Sequence, residues 1–468
     1  MVMNSINDIP ARTRRLKLSP CALFTLFSAA LFLTPVQRAS GVDRIAEAPV
    51  RDTVFENGLT VLAMEDKSNP LVALLVTYHV GSRDEVEGKT GLAQVAGRML
   101  TTGSLGYRKE EYGRLVHSGG GDFGFEIVHD NSMYWSRFPK HLLRKVLLME
   151  ADRMENPNLS RENLEGAKSS ARRVRDAYLE TNIYAPLVLE LLSRVYPDHP
   201  YGRLEYGSEE DISALSVSDA RSWMGKFFLP ANATITLVGD FKRGKLFEEL
   251  LEIFADIPSA PAPLRVLPQL SDQTAERRSH IVGSIQIPVL IAGYEVPELA
   301  HQDRLALDLL AGILYGERSS RIYQRLVVSS GKCLFAGGDI VEFTGPGLLY
   351  FFAFMNQGEA LSDAEALLNE EFKRVIDGDL SEGDLIIARK QLEAEIYQQG
   401  ARALPRAKQI SRSYETWGES MRWWDDLERL ESVTLSDIAR VAREYLKEEK
   451  RTIILMNPAG AKPSEVRP

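Results

Sequence analysis

"LSVSDARSWMGKFFLPANATITLVGD" (215–240) has a twin in "VTLSDIARVAREYLKEEKRTIILMNP" (433–458). Ser218-Asp219 answers Ser436-Asp437, Phe227-Phe228 answers Tyr445-Leu446, and the apolar run Ile235–Val238 answers Ile453–Met456. The difference in number is 218 each time, with no gap. A repeat of that length is a duplicated domain, because solenoid units are far shorter. Each copy reads as a helix capped by Ser and Asp, closed by aromatic residues and followed by a strand. The seam between the copies is "IPSAPAPLRVLP" (257–268), whose four prolines favour an extended, fairly stiff spacer. These boundaries place one domain at 47–257, a proline-rich linker at 258–268 and a second domain at 269–468.

The chain has 468 residues, 44% hydrophobic and 26% charged, a composition of soluble globular proteins of two or three domains. Its first 41 residues differ from the rest. Arg12, Arg14, Arg15 and Lys17 precede the apolar run "CALFTLFSAALFLTPV" (21–36), and "ASG" (39–41) offers small residues for cleavage. That is the layout of a secretory signal peptide. It predicts export to the periplasm or cell envelope. A retained anchor is the alternative, disfavoured by the Pro35 break. Cys21 lies before the apolar run, not after it, so no lipoprotein site is read.

The leader holds five basic residues (Arg12, Arg14, Arg15, Lys17, Arg38) and one acid (Asp8). Removing it takes the net charge from −9 to −13. So acidic a chain lacks the basic face that nucleic acid requires. Only Cys333 remains in the mature part, which excludes an intrachain disulfide.

"DTVFENGLTVLAME" (52–65) predicts a hairpin with Asn57-Gly58 as a two-residue turn. "LVALLVTYHV" (71–80) predicts a buried strand. Helices are expected near 89–103, 109–118, 139–155, 160–193 and 211–228, with strand material at 122–138. The second half predicts strands near 279–293 and 332–357, and helices near 301–328, 360–378 and 381–414. This is an α+β pattern of two homologous domains, each a largely antiparallel sheet packed with helices.

Several motifs carry little chemistry. Gly119-Gly120-Gly121-Asp122-Phe123-Gly124 fits G-x-G-x-x-G, but a helix precedes it and a strand follows, the reverse of a dinucleotide loop. No two of the seven histidines are three or four residues apart, so no helix presents a His pair to a metal. His199 in "DHPYG" reads as a surface or turn residue, and Ser319 and Ser320 read as caps. Lys168, Arg172, Arg173 and Arg175 read as a solvated basic helix face.

"TGLAQVAGRMLTTGS" (90–104) reads as a helix whose apolar stripe is Leu92, Val95, Ala96, Met99 and Leu100. Gln94, Gly97 and Arg98 share another face, and the glycine costs about 1 kcal/mol against alanine. The surrounding "FENGLTVLAMEDKSNPLVALLVTYHVGSRDEVEGKTGLAQVAGRMLTTGS" (55–104) resembles the opening of the insulinase, pitrilysin and mitochondrial-processing-peptidase family of zinc metallopeptidases. "HPYG" (199–202), "DISALSVSD" (211–219), "PANATITLVGD" (230–240) and "SSRIYQRL" (319–326) follow in family order, so the resemblance runs from about 50 to about 460.

The resemblance implies two homologous α+β halves in one chain. It also implies that the face at 94, 97 and 98 reads His, Glu, His in active members, with a third metal ligand, a Glu, at Ala171. Here the four positions hold Gln94, Gly97, Arg98 and Ala171, which supply neither a zinc ligand set nor a base for the metal-bound water. No metal cofactor is therefore expected. Gly97 reads as tolerated where no side chain is required. Arg98 reads either as pairing with nearby carboxylates or as drift on an open cleft wall. The family's substrate-holding Arg and Tyr fall on Val327 and Leu334.

Family members often work as two chains closed into a clamshell, only one of them bearing zinc. This chain is expected to be the second kind, a non-catalytic partner of an active homologue or of itself, and to bind peptide or unfolded polypeptide. The alternative is a peptidase with relocated ligands, for which His117, Glu126, His129 and Asp130 are the only dense group.

Overall fold

The computed structural model describes residues 49–460 except 266 and 317. The leader expected at 1–41 lies outside the described residues. β1 (Val50–Val54), β2 (Thr60–Glu65), β3 (Leu71–Tyr78), β4 (Asp122–Ile127), β5 (Ser132–Pro139) and β6 (Ala233–Gly239) form one sheet in the order β1-β2-β6-β3-β5-β4. β7 (Arg277–Gly283), β8 (Val289–Val296), β9 (Cys333–Val341), β10 (Gly347–Met355) and β11 (Arg451–Pro458) form a second, β7-β11-β8-β10-β9. Apart from β1 the two orders are the same. β3 begins at 71 and β8 at 289, β6 at 233 and β11 at 451, which is again 218. Among these strands only β2–β6 and β7–β11 pair in parallel. The fold is α+β with two largely antiparallel sheets, as the sequence predicts.

Among the described residues, thirteen longer helices surround the sheets. In the first half they are α1 (Leu92–Leu100), α2 (Lys109–Ser118), α3 (Leu143–Glu155), α4 (Arg161–Thr181), α5 (Ala185–Val195), α6 (Val217–Phe227) and α7 (Arg243–Phe254). In the second they are α8 (Arg304–Tyr315), α9 (Leu361–Ile376), α10 (Glu382–Ala401), α11 (Ala403–Trp417), α12 (Arg422–Ser432) and α13 (Leu435–Tyr445).

The helices expected at 211–228 and 301–328 are each interrupted, at Leu215-Ser216 and after Tyr315, and four further local expectations need correction. The helix expected at 160–193 is two, α4 and α5, because Pro186 lacks an N–H and its ring opposes the carbonyl of Asn182; it fits only in the first turn of α5. The helix expected at 381–414 breaks at Arg402, which is extended (φ −116, ψ 141), with Pro405 in the first turn of α11. The caps of the repeated helices are Ser216 and Thr434, two residues before the expected serines, and Asp219 and Asp437 complete the capping boxes. The first hairpin has no two-residue turn: Val54 pairs with Thr60, and Gly58 alone takes a positive φ (85). Asn57 instead donates its amide to Phe254 O at 2.8 Å and Ile257 O at 3.2 Å, tying the hairpin to the end of α7.

The split helices have a larger consequence. α5 belongs to the first half by sequence but packs on the second sheet: Leu187, Val188, Leu191 and Val195 share a core with Val289 and Ile291 of β8, Phe352 of β10 and Ile454 of β11. α11 belongs to the second half but covers the first sheet, where Ala407 and Ile410 join Leu62, Met64, Leu75 and Val238. The two helices start at 185 and 403, again 218 apart, so the exchange is reciprocal. The other face of each sheet packs on helices of its own half.

Burying the four α5 side chains contributes on the order of 6–12 kcal/mol at about 1.5–3 kcal/mol each, comparable to a whole domain's net stability of about 5–15 kcal/mol. Neither half is therefore expected to fold alone. Residues 47–262 expressed by themselves should aggregate or bind a hydrophobic dye, and co-expression with 263–468 should restore a soluble complex. A monomeric, cooperatively unfolding 47–262 fragment would refute the argument.

Candidate functional site

α1 is held at its start by a buried carboxylate. Glu85 Oε1 accepts from Ala93 N at 2.7 Å and Oε2 from Gly91 N at 3.0 Å, in the first turn where backbone N–H groups lack helical partners. Burial pushes the Glu85 carboxyl up to about 8, against the opposing pull of these N–H groups and of Arg203. The rest of the "VGSRDE" motif turns toward the second half. Arg83 Nη1 donates to Asp130 Oδ1 at 2.7 Å, and Asp130 Oδ2 accepts from Thr344 N at 2.9 Å. Tyr201 of "HPYG" donates to Asp130 Oδ1 at 2.8 Å and stacks on Phe343 at 4.0 Å.

The apolar stripe of α1 lies in the first-half core as expected. The opposite face is largely buried, although Arg98 borders a cavity as a cleft-wall residue would. Gln94 is 2% exposed and Arg98 7%. Gln94 Nε2 donates to Ile127 O at 2.9 Å, and Tyr134 donates to Gly97 O at 2.9 Å. Arg98 Nη1 donates to Gln94 O at 3.1 Å and also to Gln94 Oε1, while its guanidinium carbon lies 5.5 Å from the centre of the Phe125 ring. The expected pairing of Arg98 with a carboxylate is absent among the described residues. Glu150, a buried acid of α3, pairs with Arg153 and accepts from the Tyr112 hydroxyl at 2.6 Å. Burial lowers the Arg98 pKa, opposed only by the phenols of Tyr134 and Tyr206.

Gly97 is closely covered, so a larger residue there needs the Ile127 side chain to move. A Cβ there would lie 2.4 Å from Ile127 Cδ1 and 3.0 Å from the Tyr134 hydroxyl. Ile127 thus fills the space where a side chain at 97 would begin. Ala171 is 1% exposed in the core shared with α1. The residues present do not fit zinc: the oxygen of the Gln94 amide is held by Arg98, its nitrogen donates to Ile127, and the other three positions offer a hydrogen, a guanidinium and a methyl.

Of the other candidates, Glu126, His129 and Asp130 border one cavity and His117 lies outside it, and each already has a partner. His117 Nδ1 sits 3.1 Å from Gly121 O, His129 Nδ1 3.6 Å from Glu205, Glu126 2.8 Å from Lys408, and Asp130 is engaged by Arg83. Among the described residues no group of three or more His, Cys, Asp or Glu side chains is arranged to hold a metal. Val327 is half-buried against the second core and Leu334 is exposed on β9. Neither lines the cavity that Arg98 borders.

His199 shapes a turn, its Nδ1 accepting from Tyr201 N at 3.2 Å, but it is buried rather than on the surface. Lys168 is likewise buried, not solvated. Its ammonium donates to Ser213 O and Leu215 O, both at 2.9 Å, closing the short helix Glu209–Ala214.

Sequence reasoning misses Ile127, Tyr134, Arg153 and Glu85. Strand alternation puts Phe123, Phe125 and Ile127 on one face of β4, but nothing local says that this face meets α1.

Residues 60–204 match the model described as Insulinase (Peptidase family M16), and residues 214–392 match Peptidase M16 inactive domain. The chain belongs to the M16 peptidase family. It is 23% identical to the zinc protease PqqE of Helicobacter pylori over 412 residues, covering 86% of this chain and 92% of the relative. The crystal structure of a protease from Helicobacter pylori superposes with a TM-score of 0.81 at 22% identity, over 88% of this chain and all of that one. The first half of the periplasmic protease PqqL from Escherichia coli superposes at 0.70 and 15% identity, over 87% and 91% of the two chains.

Two outcomes test this geometry. Gly97→Ala sets an overpacking cost of about 1–3 kcal/mol against the about 1 kcal/mol that alanine gains in a helix, and Ile127→Ala should remove the overpacking part, with a coupling of about 1 kcal/mol in a double-mutant cycle. Additive effects would contradict the contact. By the same contact, Gln94→His/Gly97→Glu/Arg98→His/Ala171→Glu should take up no zinc on elemental analysis until Ile127 is also trimmed.

The second concerns Glu85. Its folded value of about 8 lies above the reference 4.5, so the stability carried by the neutral form is fully present below about 4.5 and lost as pH rises through about 8. Glu85→Gln should lack this fall when unfolding midpoints are followed from pH 5 to 9. A constant offset between variant and wild type would exclude Glu85 as its source.

Proposed function

We propose that this chain is a non-catalytic M16 half-shell that partners an active homologue in the cell envelope and binds peptide. The observation that carries the reading is Gly97 packed beneath Ile127: the fold is kept while the space for the catalytic side chain is filled from the opposite strand. The sequence departs from the active pattern at all four site positions and again at Val327 and Leu334. Two further features support the peptide part. Among the described residues β4 is an edge strand, hydrogen-bonded to β5 alone, and Phe123 and Phe125 stand partly exposed on it. An exposed edge with aromatic pockets suits an extended chain. Export is supported by the layout of residues 1–41 and by the likeness to a periplasmic protease.

The purified native protein should carry no stoichiometric zinc after dialysis. Mixed with a co-exported homologue that keeps HxxEH, it should co-elute on size exclusion and raise that homologue's peptidase activity. A stable interface would bury more than about 1,200 Å², so co-elution should persist at micromolar concentration. A strict monomer that neither binds nor activates such a homologue would end the partner reading. Stoichiometric zinc with chelator-sensitive peptidase activity would end the non-catalytic one.

A further inference from the structure

Beside the altered face of α1 lies a cavity of about 1230 Å³ between α1, α2, β4, β5 and α4. Its lining has an unbalanced charge. Five cationic side chains face it against two carboxylates, Glu110 and Glu162, both exposed. Of the cations, Arg153 is neutralised by Glu150, and Arg108, Lys109 and Arg173 are exposed to water.

Arg98 is different. It is more than nine-tenths buried, and its protein hydrogen bonds all leave from Nη1, to Gln94 O and Oε1. Nε and Nη2 have no partner among the described residues, yet Arg98 lines the cavity. A guanidinium buried without an anion is costly, because its lost hydration is not repaid. The lowered Arg98 pKa agrees with this deficit.

Aromatic rings line the same cavity. Phe125 lies 5.5 Å from the Arg98 guanidinium carbon, Phe123 meets Tyr112 edge-on at 5.4 Å, and Tyr134 closes the inner wall. We infer that this cavity is a carboxylate site, in which Arg98 receives a peptide carboxylate through Nε and Nη2 while an adjacent apolar side chain lies against Phe123 and Phe125. The position at which active relatives hold a cation would thus hold an anion here. Guanidinium is suited to the task, since it offers two parallel N–H donors matched to the two carboxylate oxygens. The inference rests on the peptide-binding reading above and names the chemistry that reading lacks.

A peptide carboxylate has two sources, the chain terminus and an Asp or Glu side chain, and the test separates them. The full-length mature protein is immobilised and challenged with a random pentapeptide library ending in free carboxylates and with the same library amidated. Retained members are read by mass spectrometry. Preferential retention of the free-acid library, whatever its composition, assigns the terminus. Retention of amidated members enriched in Asp or Glu beside an aromatic or aliphatic residue assigns the side chain.

In either case Arg98→Met should lower retention about tenfold or more, the range for losing a charged hydrogen bond, and Arg98→Lys should recover part of it. The acid-against-amide comparison uses the unaltered chain, so it stands even where the methionine variant fails to fold. Peptide retention that ignores both carboxylates and Arg98 would overturn the inference and leave the peptide-binding reading standing. No retention of any peptide would overturn both.

Discussion

Each sheet of this protein is buried on both faces, and the helix on its second face comes from the other half. α5 leaves the first half to cover β8, β10 and β11, and α11 returns to cover β2, β3 and β6. Strands such as β6 and β10 are therefore apolar along most of their length, with every residue of both buried. The rest of the architecture follows from this exchange. With it, the loop after β9 meets Asp130 and Tyr201, where Thr344 N and Gly345 N donate to them.

The site face of α1 departs from the active pattern without loss of the fold. The helix is held by its apolar stripe and by Glu85 at its start, neither of which involves the metal face. On the metal face a new set of contacts replaces ligation. Gln94 and Tyr134 stitch α1 to β4 and β5, and Ile127 packs where a side chain at 97 would stand. These contacts satisfy the buried amide and phenol, but they leave Arg98 without a counter-charge. A buried charge is retained against its desolvation cost only where something offsets it, which is why the cavity beside Arg98 has chemical interest.

Several features are legible in the amino-acid order alone. The two copies of the helix–strand unit are visible because a gene duplication leaves a constant spacing, and α6 with β6 recurs as α13 with β11 at that spacing. The substitution at Gln94, Gly97 and Arg98 is equally visible, because i, i+3 and i+4 lie on one helix face whatever the helix packs against. The helix ends are less legible. Proline marks the breaks at 182–184 and 402, but the unbroken periodicity on either side masks them.

What the sequence by itself determined is local or periodic: two α+β copies, the helix carrying the altered face, and the absence of the ligand residue types. What only the tertiary structure decided is long-range. It decided that Gly97 lies directly beneath Ile127, that Lys168 and Arg98 are buried, and that α5 and α11 change sheets. The physical reason is the same in each case. Periodicity reports that a face is apolar or polar, but burial depends on which distant surface meets that face, and packing at interior density leaves room for only one arrangement of side chains there.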